Sequence, residues 1–383
     1  MKSSSARLSL VVGAVVFLDT MFYSVITPLL PQLSHQLALS RLSAGIMTGG
    51  YALGTLVASL PGGILASRAG PRVAVTTGIS LMIAATVGFG LLHSTVTLDL
   101  SRFVEGVGGA CSWAGGVTWL VAATPADRRG AVMGRVLAMS TVGSILGPAV
   151  GALASVVGRP MLFSVIAVIE GLLLFPVLAT REERESSQQP LTEVLGIVRR
   201  PAVAGAMWLM VLPAVISGML NVLVPLRIHY LGGGAAMIGA AFLVGAVLET
   251  AVSPAAGRLS DSHGRATLLR GALIAMAAGF ACFTLPGSVL SMALLVVALI
   301  AVLGAFWAPA MALVVDLADQ YGMDQAHGAA LINLAWAVGQ IGGAVGGGAV
   351  ATSVGDAVPT LAVTALCLLT LTRLRVRSAQ RVS

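Results

Sequence analysis

Gly63-Ile64-Leu65-Ala66-Ser67-Arg68-Ala69-Gly70-Pro71-Arg72 separates two long apolar runs. Gly257-Arg258-Leu259-Ser260-Asp261-Ser262-His263-Gly264-Arg265 does the same 194 residues later. Both carry a leading glycine, a second glycine seven residues on, and arginines around it. A pattern that returns at such a distance, each time between apolar runs, marks a chain built from two like halves.

The runs on either side settle the class. Hydrophobic residues make up 57% of the 383, and charged residues only 10%. A soluble domain carries roughly 25% charge. This chain cannot clothe a water-facing surface of its size, which excludes an ordinary soluble enzyme, a disordered chain and a typical nucleic-acid binder. Apolar stretches fall near 8–30, 42–66, 73–92, 98–122, 132–157, 161–179, 201–225, 236–258, 267–286, 290–314, 327–350 and 358–372. They run near 20 residues, the length of a spanning helix, and lack the short alternation of a membrane barrel. The expectation is an all-α membrane protein with twelve transmembrane helices. The polar stretch 181–200 divides it into six-helix bundles at 1–180 and 201–383. That stretch is too short for a folded nucleotide-binding domain, and no GxxxxGK[ST] occurs. The basic N-terminus resembles the opening of a signal peptide, but the run after it is long and holds Asp19, so it reads as a retained first helix.

With the N-terminus inside, 18 of the 22 Lys and Arg fall in inner segments. This bias predicts both termini cytoplasmic and explains the net charge of +7 without nucleic acid. Cys111, Cys282 and Cys367 have no ligand spacing and read as small buried thiols. The five histidines form no pair with ligand spacing, so no metal site is expected.

The two loop motifs resemble the cytoplasmic gate motif G-x-x-x-D-[RK]-x-G-x-[RK] of the major facilitator superfamily, and the chain is similar in particular to its twelve-helix drug:proton antiporters. Gly63, Ser67, Arg68, Gly70 and Arg72 form the first copy, with Ser67 where the family has an acid. Gly257, Asp261, Gly264 and Arg265 form the second, which keeps it. Gly143-Ser144-Ile145-Leu146-Gly147-Pro148-Ala149-Val150-Gly151 matches the antiporter helix signature G-x-x-x-G-P-x-x-G, through Gly143, Gly147, Pro148 and Gly151. Arg102-Phe103-Val104-Glu105-Gly106 resembles the R-x-x-q-G run of the fourth span. The resemblance implies the major facilitator fold, two pseudo-symmetric bundles and alternating access. Protons are its coupling ion, with no other cofactor. The antiporter signature is the warrant for export.

Ionisable groups inside lipid are costly and mark function. Asp19, Arg102, Glu105, Glu170 and Glu249 are therefore the candidates for proton coupling or substrate binding. A carboxylate that binds either a proton or a cation couples the two by competition. Tyr23, Trp113 and Asn333 are weaker candidates for a cavity lining. Asp316 and Asp319 read as loop partners of basic residues. The expected function is proton-coupled export of a small lipophilic or cationic drug-like compound from the cell inner (plasma) membrane, by a monomer whose partners are its solute and the bilayer. Efflux of a sugar or other neutral metabolite is the alternative. A non-transporting membrane sensor or scaffold is the reading from another class.

Overall fold

The computed structural model describes residues 2–124, 128–180, 200–322 and 325–379. Among them every regular element is helical. The helices are α1 (Lys2–Gln36), α2 (Arg41–Arg68), α3 (Pro71–Leu91), α4 (Thr95–Ala122), α5 (Arg129–Val157), α6 (Arg159–Ala179), α7 (Pro201–Tyr230), α8 (Ala235–His263), α9 (Arg265–Ala281) and α10 (Val289–Gln320). There follow α11 (Gln325–Ile341), a π-helical turn (Gly342–Gly346), α12 (Gly347–Val354) and α13 (Ala357–Ala379). Because α11, the π turn and α12 run on without a break, the described residues make twelve helical runs, the number the apolar stretches imply.

Ten of these helical stretches are long and apolar enough to cross a membrane, among the described residues. The other two runs are α4 and α9. α4 carries Asp99, Arg102 and Glu105 within two turns, and α9 is only 17 residues long, which is about 25 Å at the helical rise. Glycine and proline shape the boundaries. Pro71 and Pro201 occupy the first turns of α3 and α7, where a missing N–H costs nothing. Gly70 and Gly264 have φ of 109° and 86°, a conformation that side chains other than glycine's resist. That is why the second glycine recurs in both loop motifs.

The chain forms two compact units. The first comprises residues Met1–Leu29 and Met47–Glu193, the second Leu30–Ile46 and Val194–Ser383. In the first, an apolar cluster of Leu8, Val12, Val16, Val75, Ile79, Trp119 and Val136 ties α1, α3, α4 and α5 together. α6 shows which side faces lipid. Its Phe163, Ile166, Glu170 and Val177 are buried, while Val168, Leu172 and Phe175 on the other face are exposed. Exposed apolar groups of this size suit a hydrocarbon surrounding and not water.

In the second unit a single core joins α7, α8, α9, α10 and α13 through residues such as Leu220, Leu223, Leu273, Phe280, Phe306 and Cys367. The chain between α1 and α2 belongs here too. Arg41 Nε lies 2.9 Å from Asp356 Oδ1, and the Leu42 amide donates to Thr352 Oγ1 at 2.9 Å. Cys111 and Cys367 are buried as expected, but Cys282 is exposed. It caps the C-terminus of α9 with its side chain outward, while the neighbouring Phe283 is buried in the core.

Small residues set how closely the helices approach. A Cβ on Gly54 would strike the Phe103 carbonyl, and one on Gly106 the Tyr51 carbonyl, so α2 and α4 touch backbone to backbone. Gly171 on α6 has open space around its α-carbon. Gly106→Ala is accordingly expected to destabilise the protein by about 1–3 kcal/mol through overpacking. Gly171→Ala should leave stability unchanged or raise it slightly. Thermal unfolding of the two variants in detergent compares them directly.

Candidate functional site

Four of the five acids and bases expected from the sequence are buried within the first unit. Asp19 projects from α1, Arg102 and Glu105 from α4, and Glu170 from α6. Arg102 and Glu105 have no solvent exposure, Glu170 is 1% exposed and Asp19 7%. Such groups are tolerated only with partners or protons.

Arg102 is held by backbone. Its Nη1 donates to the Phe22 carbonyl and its Nη2 to the Tyr23 carbonyl, each at 3.0 Å. The guanidinium carbon also lies 5.6 Å from the Phe22 ring centre and 5.4 Å from that of Tyr51, within range of cation–π attraction. Arginine suits the place because its flat fork reaches two acceptors at once.

Asp19 is held by Tyr51 of α2, whose hydroxyl lies 2.9 Å from Oδ1 and 3.0 Å from Oδ2. The ring of Tyr51 packs against Tyr23, centre to centre at 5.0 Å. Behind this pair lies Gly109, where any Cβ would meet both Asp19 Oδ1 and the Tyr51 hydroxyl. The aspartate and tyrosine thus occupy the space that a side chain at 109 would fill.

Glu105 lies one turn before Gly109 on α4. Neither of its carboxyl oxygens has a hydrogen-bond partner. It is within electrostatic reach of Glu170, Asp19 and Arg102. Glu170 accepts a hydrogen bond from the Thr86 hydroxyl of α3 at 3.1 Å, and its second oxygen has no partner.

The antiporter-type helix stands beside this cluster. Gly143, Gly147 and Gly151 of α5 face the α1 carbonyls of Phe17, Met21 and Val25 so closely that no Cβ fits. Thr20 donates to the Ser140 carbonyl at 2.8 Å, and Ser24 to the Ser144 carbonyl at 3.2 Å. The signature clamps α5 onto the turn of α1 that carries Asp19, with Pro148 inside α5.

The remaining candidates lie elsewhere. Glu249 is partly buried on α8 in the second unit, with its backbone against Gly304 of α10. Asn333 is partly buried on α11. Trp113 is partly buried on α4 and packs on the apolar cluster of the first unit. Of the loop motifs, Ser67 and Arg68 are exposed, and the Ser67 hydroxyl donates to the Ile64 carbonyl at 3.0 Å. Arg72 reaches the Leu178 carbonyl at 3.5 Å. Gly63 and Gly257 stand in open space. Arg265 pairs with Asp316, while the side chains of Asp261 and Asp319 lie outside the described residues. No cluster of His, Cys, Asp and Glu suited to a metal occurs among the described residues.

Tyr51 and Thr86 are absent from the sequence-based candidates. Each sits in an apolar run as a polar residue of the kind that packs helices, and its partner is remote in the chain. Gly109 was the available signal, since a glycine among charged residues on one helix marks a close approach.

The family profile described as Major Facilitator Superfamily matches residues 12–226 and 206–381. The chain belongs to the major facilitator superfamily. The quinolone resistance protein NorA of Staphylococcus aureus (strain MRSA252) is 28% identical over 161 residues, 42% of this chain and 41% of that protein. The chain spans less than half the length of the curated relatives it matches. A bacterial homologue of the human lysosomal transporter Spinster, solved inward-facing and unoccupied, superposes with a TM-score of 0.78 at 15% identity, over 98% of this chain and 97% of that one. A D-xylose–proton symporter superposes at 0.77 and 15% identity, over 97% of each chain. These two likenesses establish the fold.

Tyr51→Phe removes only the hydroxyl that Asp19 accepts. Loss of those bonds to a buried carboxyl should cost about 1–3 kcal/mol and lower the thermal unfolding midpoint in detergent. Gly109→Ala, which crowds the same two groups, should lower it as well.

Proposed function

We propose that the protein is a secondary active transporter that moves a small molecule across the plasma membrane by alternating access, coupled to protons. The observation that carries this reading is the Asp19–Tyr51–Arg102 arrangement, a carboxyl buried in a membrane helix beside a buried cation. A scaffold needs no such group, and an ionisable residue buried in a membrane helix is costly and marks function.

In this reading the two bundles, 1–180 and 201–383, open alternately to either side, and both termini lie in the cytoplasm. Asp19 takes a proton when exposed outside and gives it up inside. Arg102 stays fixed to the α1 backbone, so a change of charge on Asp19 is felt by the helix that carries it. Export is supported by the resemblance of the α5 signature to that of antiporters.

Two solute classes remain. Likeness over nearly the whole chain is to transporters such as the D-xylose–proton symporter, which supports a neutral polar metabolite better than a drug. Likeness to a quinolone resistance protein over 42% of the chain supports a lipophilic or cationic compound. Uptake into inside-out vesicles, with and without a collapsed pH gradient, separates them when the panel holds sugars, nucleosides and lipophilic cations. Accumulation that depends on the gradient supports the reading and names the class. No accumulation of any member, with the protein present in the membrane, overturns it.

Asp19→Asn keeps the shape of the group and removes its titration. Gradient-driven accumulation should fall roughly tenfold or more, in the range of ordinary coupling energies. Exchange of labelled for unlabelled solute, which needs no net proton movement, should persist. Unchanged accumulation would remove Asp19 from the coupling mechanism.

A further inference from the structure

Glu105 and Glu170 are two buried acids of the first unit. Glu105 is wholly buried on α4 and Glu170 is 1% exposed on α6. Three of their four carboxyl oxygens have no hydrogen-bond partner, and the fourth accepts from Thr86. The two groups act on each other electrostatically. An ionised carboxylate buried without a donor is costly, and a second one within electrostatic reach raises the cost further.

The neighbours do not supply the missing charge. α1 contributes Asp19, an acid, and α2 contributes Tyr51, whose hydroxyl is directed at Asp19. α3 contributes Thr86, which is uncharged, and its Arg72 stands in the first turn. Besides Glu105, α4 contributes Arg102 and Asp99, and Asp99 is a second acid on the same helix. α5 carries Arg129 and Arg135 only in its opening turns. On α6, Arg159 is engaged with the Phe89 carbonyl at 3.3 Å, eleven residues from Glu170, or about 16 Å along a helix. Arg102 is therefore the cation within electrostatic reach, and Asp19 and Glu105 both face it. One positive charge offsets one carboxylate.

We propose that Glu105 and Glu170 form a second proton site, distinct from Asp19, in which the pair retains a proton at neutral pH. The inference rests on the proton-coupled reading for its role in transport, though not for its chemistry. Asp19 lies over Gly109, one turn from Glu105, so the sites are adjacent. A proton leaving the Asp19 carboxyl for a Glu105 carboxylate leaves Asp19 ionised beside Arg102 and Glu105 neutral. No other reactant is needed. The pair is then a store that receives the proton while Asp19 is occupied otherwise, and Thr86 marks its far end.

Infrared difference spectra of the protein in lipid, recorded across a pH jump, read the carbonyl stretch of protonated carboxyls. The wild type should show such bands, with one lost in Glu105→Gln and one altered or lost in Glu170→Gln. Thr86→Val keeps both carboxyls and should shift the Glu170 band by removing its donor, so the test survives if a glutamine variant fails to fold. Bands identical in the wild type and all three variants would show the pair ionised and overturn the proposal. If those bands behave as expected but no solute couples to protons, the site stands and the transport reading falls. If transport is proton-coupled and the bands do not respond, the second site falls alone.

Discussion

The burial of Arg102 constrains everything around it. A guanidinium cannot lose its charge in a protein, so a fully buried one must be surrounded by acceptors and π faces. Here the acceptors are two successive carbonyls of α1 and the faces are Phe22 and Tyr51. That arrangement fixes the rotation and depth of α4 against α1, and it places Glu105, one turn further along, toward the interior. Asp19 and Glu105 lie within electrostatic reach of that cation, and Glu170 within reach of both acids.

Close helix contacts make this geometry possible. Gly54 and Gly106 let α2 reach α4, so Tyr51 arrives beside Asp19. Gly143, Gly147 and Gly151 let α5 lie on α1. Between membrane helices the apolar effect gives little attraction, and association depends on close packing and on hydrogen bonds. Both are present here, since the Thr20 and Ser24 hydroxyls bond across the same contact. The antiporter-type signature is thus a packing surface whose partner is the acid-bearing turn of α1. A change in the α1–α5 contact would move Asp19 with it.

Much of this was legible in the chain. Asp19, Arg102, Glu105 and Glu170 stand out because charge in an apolar run is expensive and therefore rare. The helix count was legible for the same reason. What could not be read was which of the acids meet. Glu249 carries the same signal as Glu170, yet it belongs to the other unit. Tyr51 was hidden because an aromatic ring in an apolar run reads as packing, and Thr86 because a threonine hydroxyl inside a membrane helix can satisfy itself on its own backbone, as Thr55 does with the Tyr51 carbonyl. Neither residue therefore carries information about its remote partner, 32 or 84 residues away. The π turn at Gly342–Gly346 was equally hidden, since the glycines there read as ordinary packing positions.

The two loop motifs show how repeated sequence diverges in use. Both keep the glycine with positive φ, because the chain reversal demands it whatever the side chains do. The charges are free of that demand. In the second copy Arg265 is paired with Asp316 of α10, so the motif ties the start of α9 to the end of another helix. In the first copy the acid position holds Ser67, whose hydroxyl turns back to Ile64 within its own helix, and Arg72 bonds to a carbonyl at the end of α6. A hydroxyl satisfied locally makes no demand on a partner, whereas a carboxylate would. The first loop therefore holds its unit together through backbone acceptors, which do not titrate, and the second through an ion pair at the surface, which is screened by salt. Backbone turn geometry preserves the duplication, while the electrostatics of each copy have followed the helix it must hold.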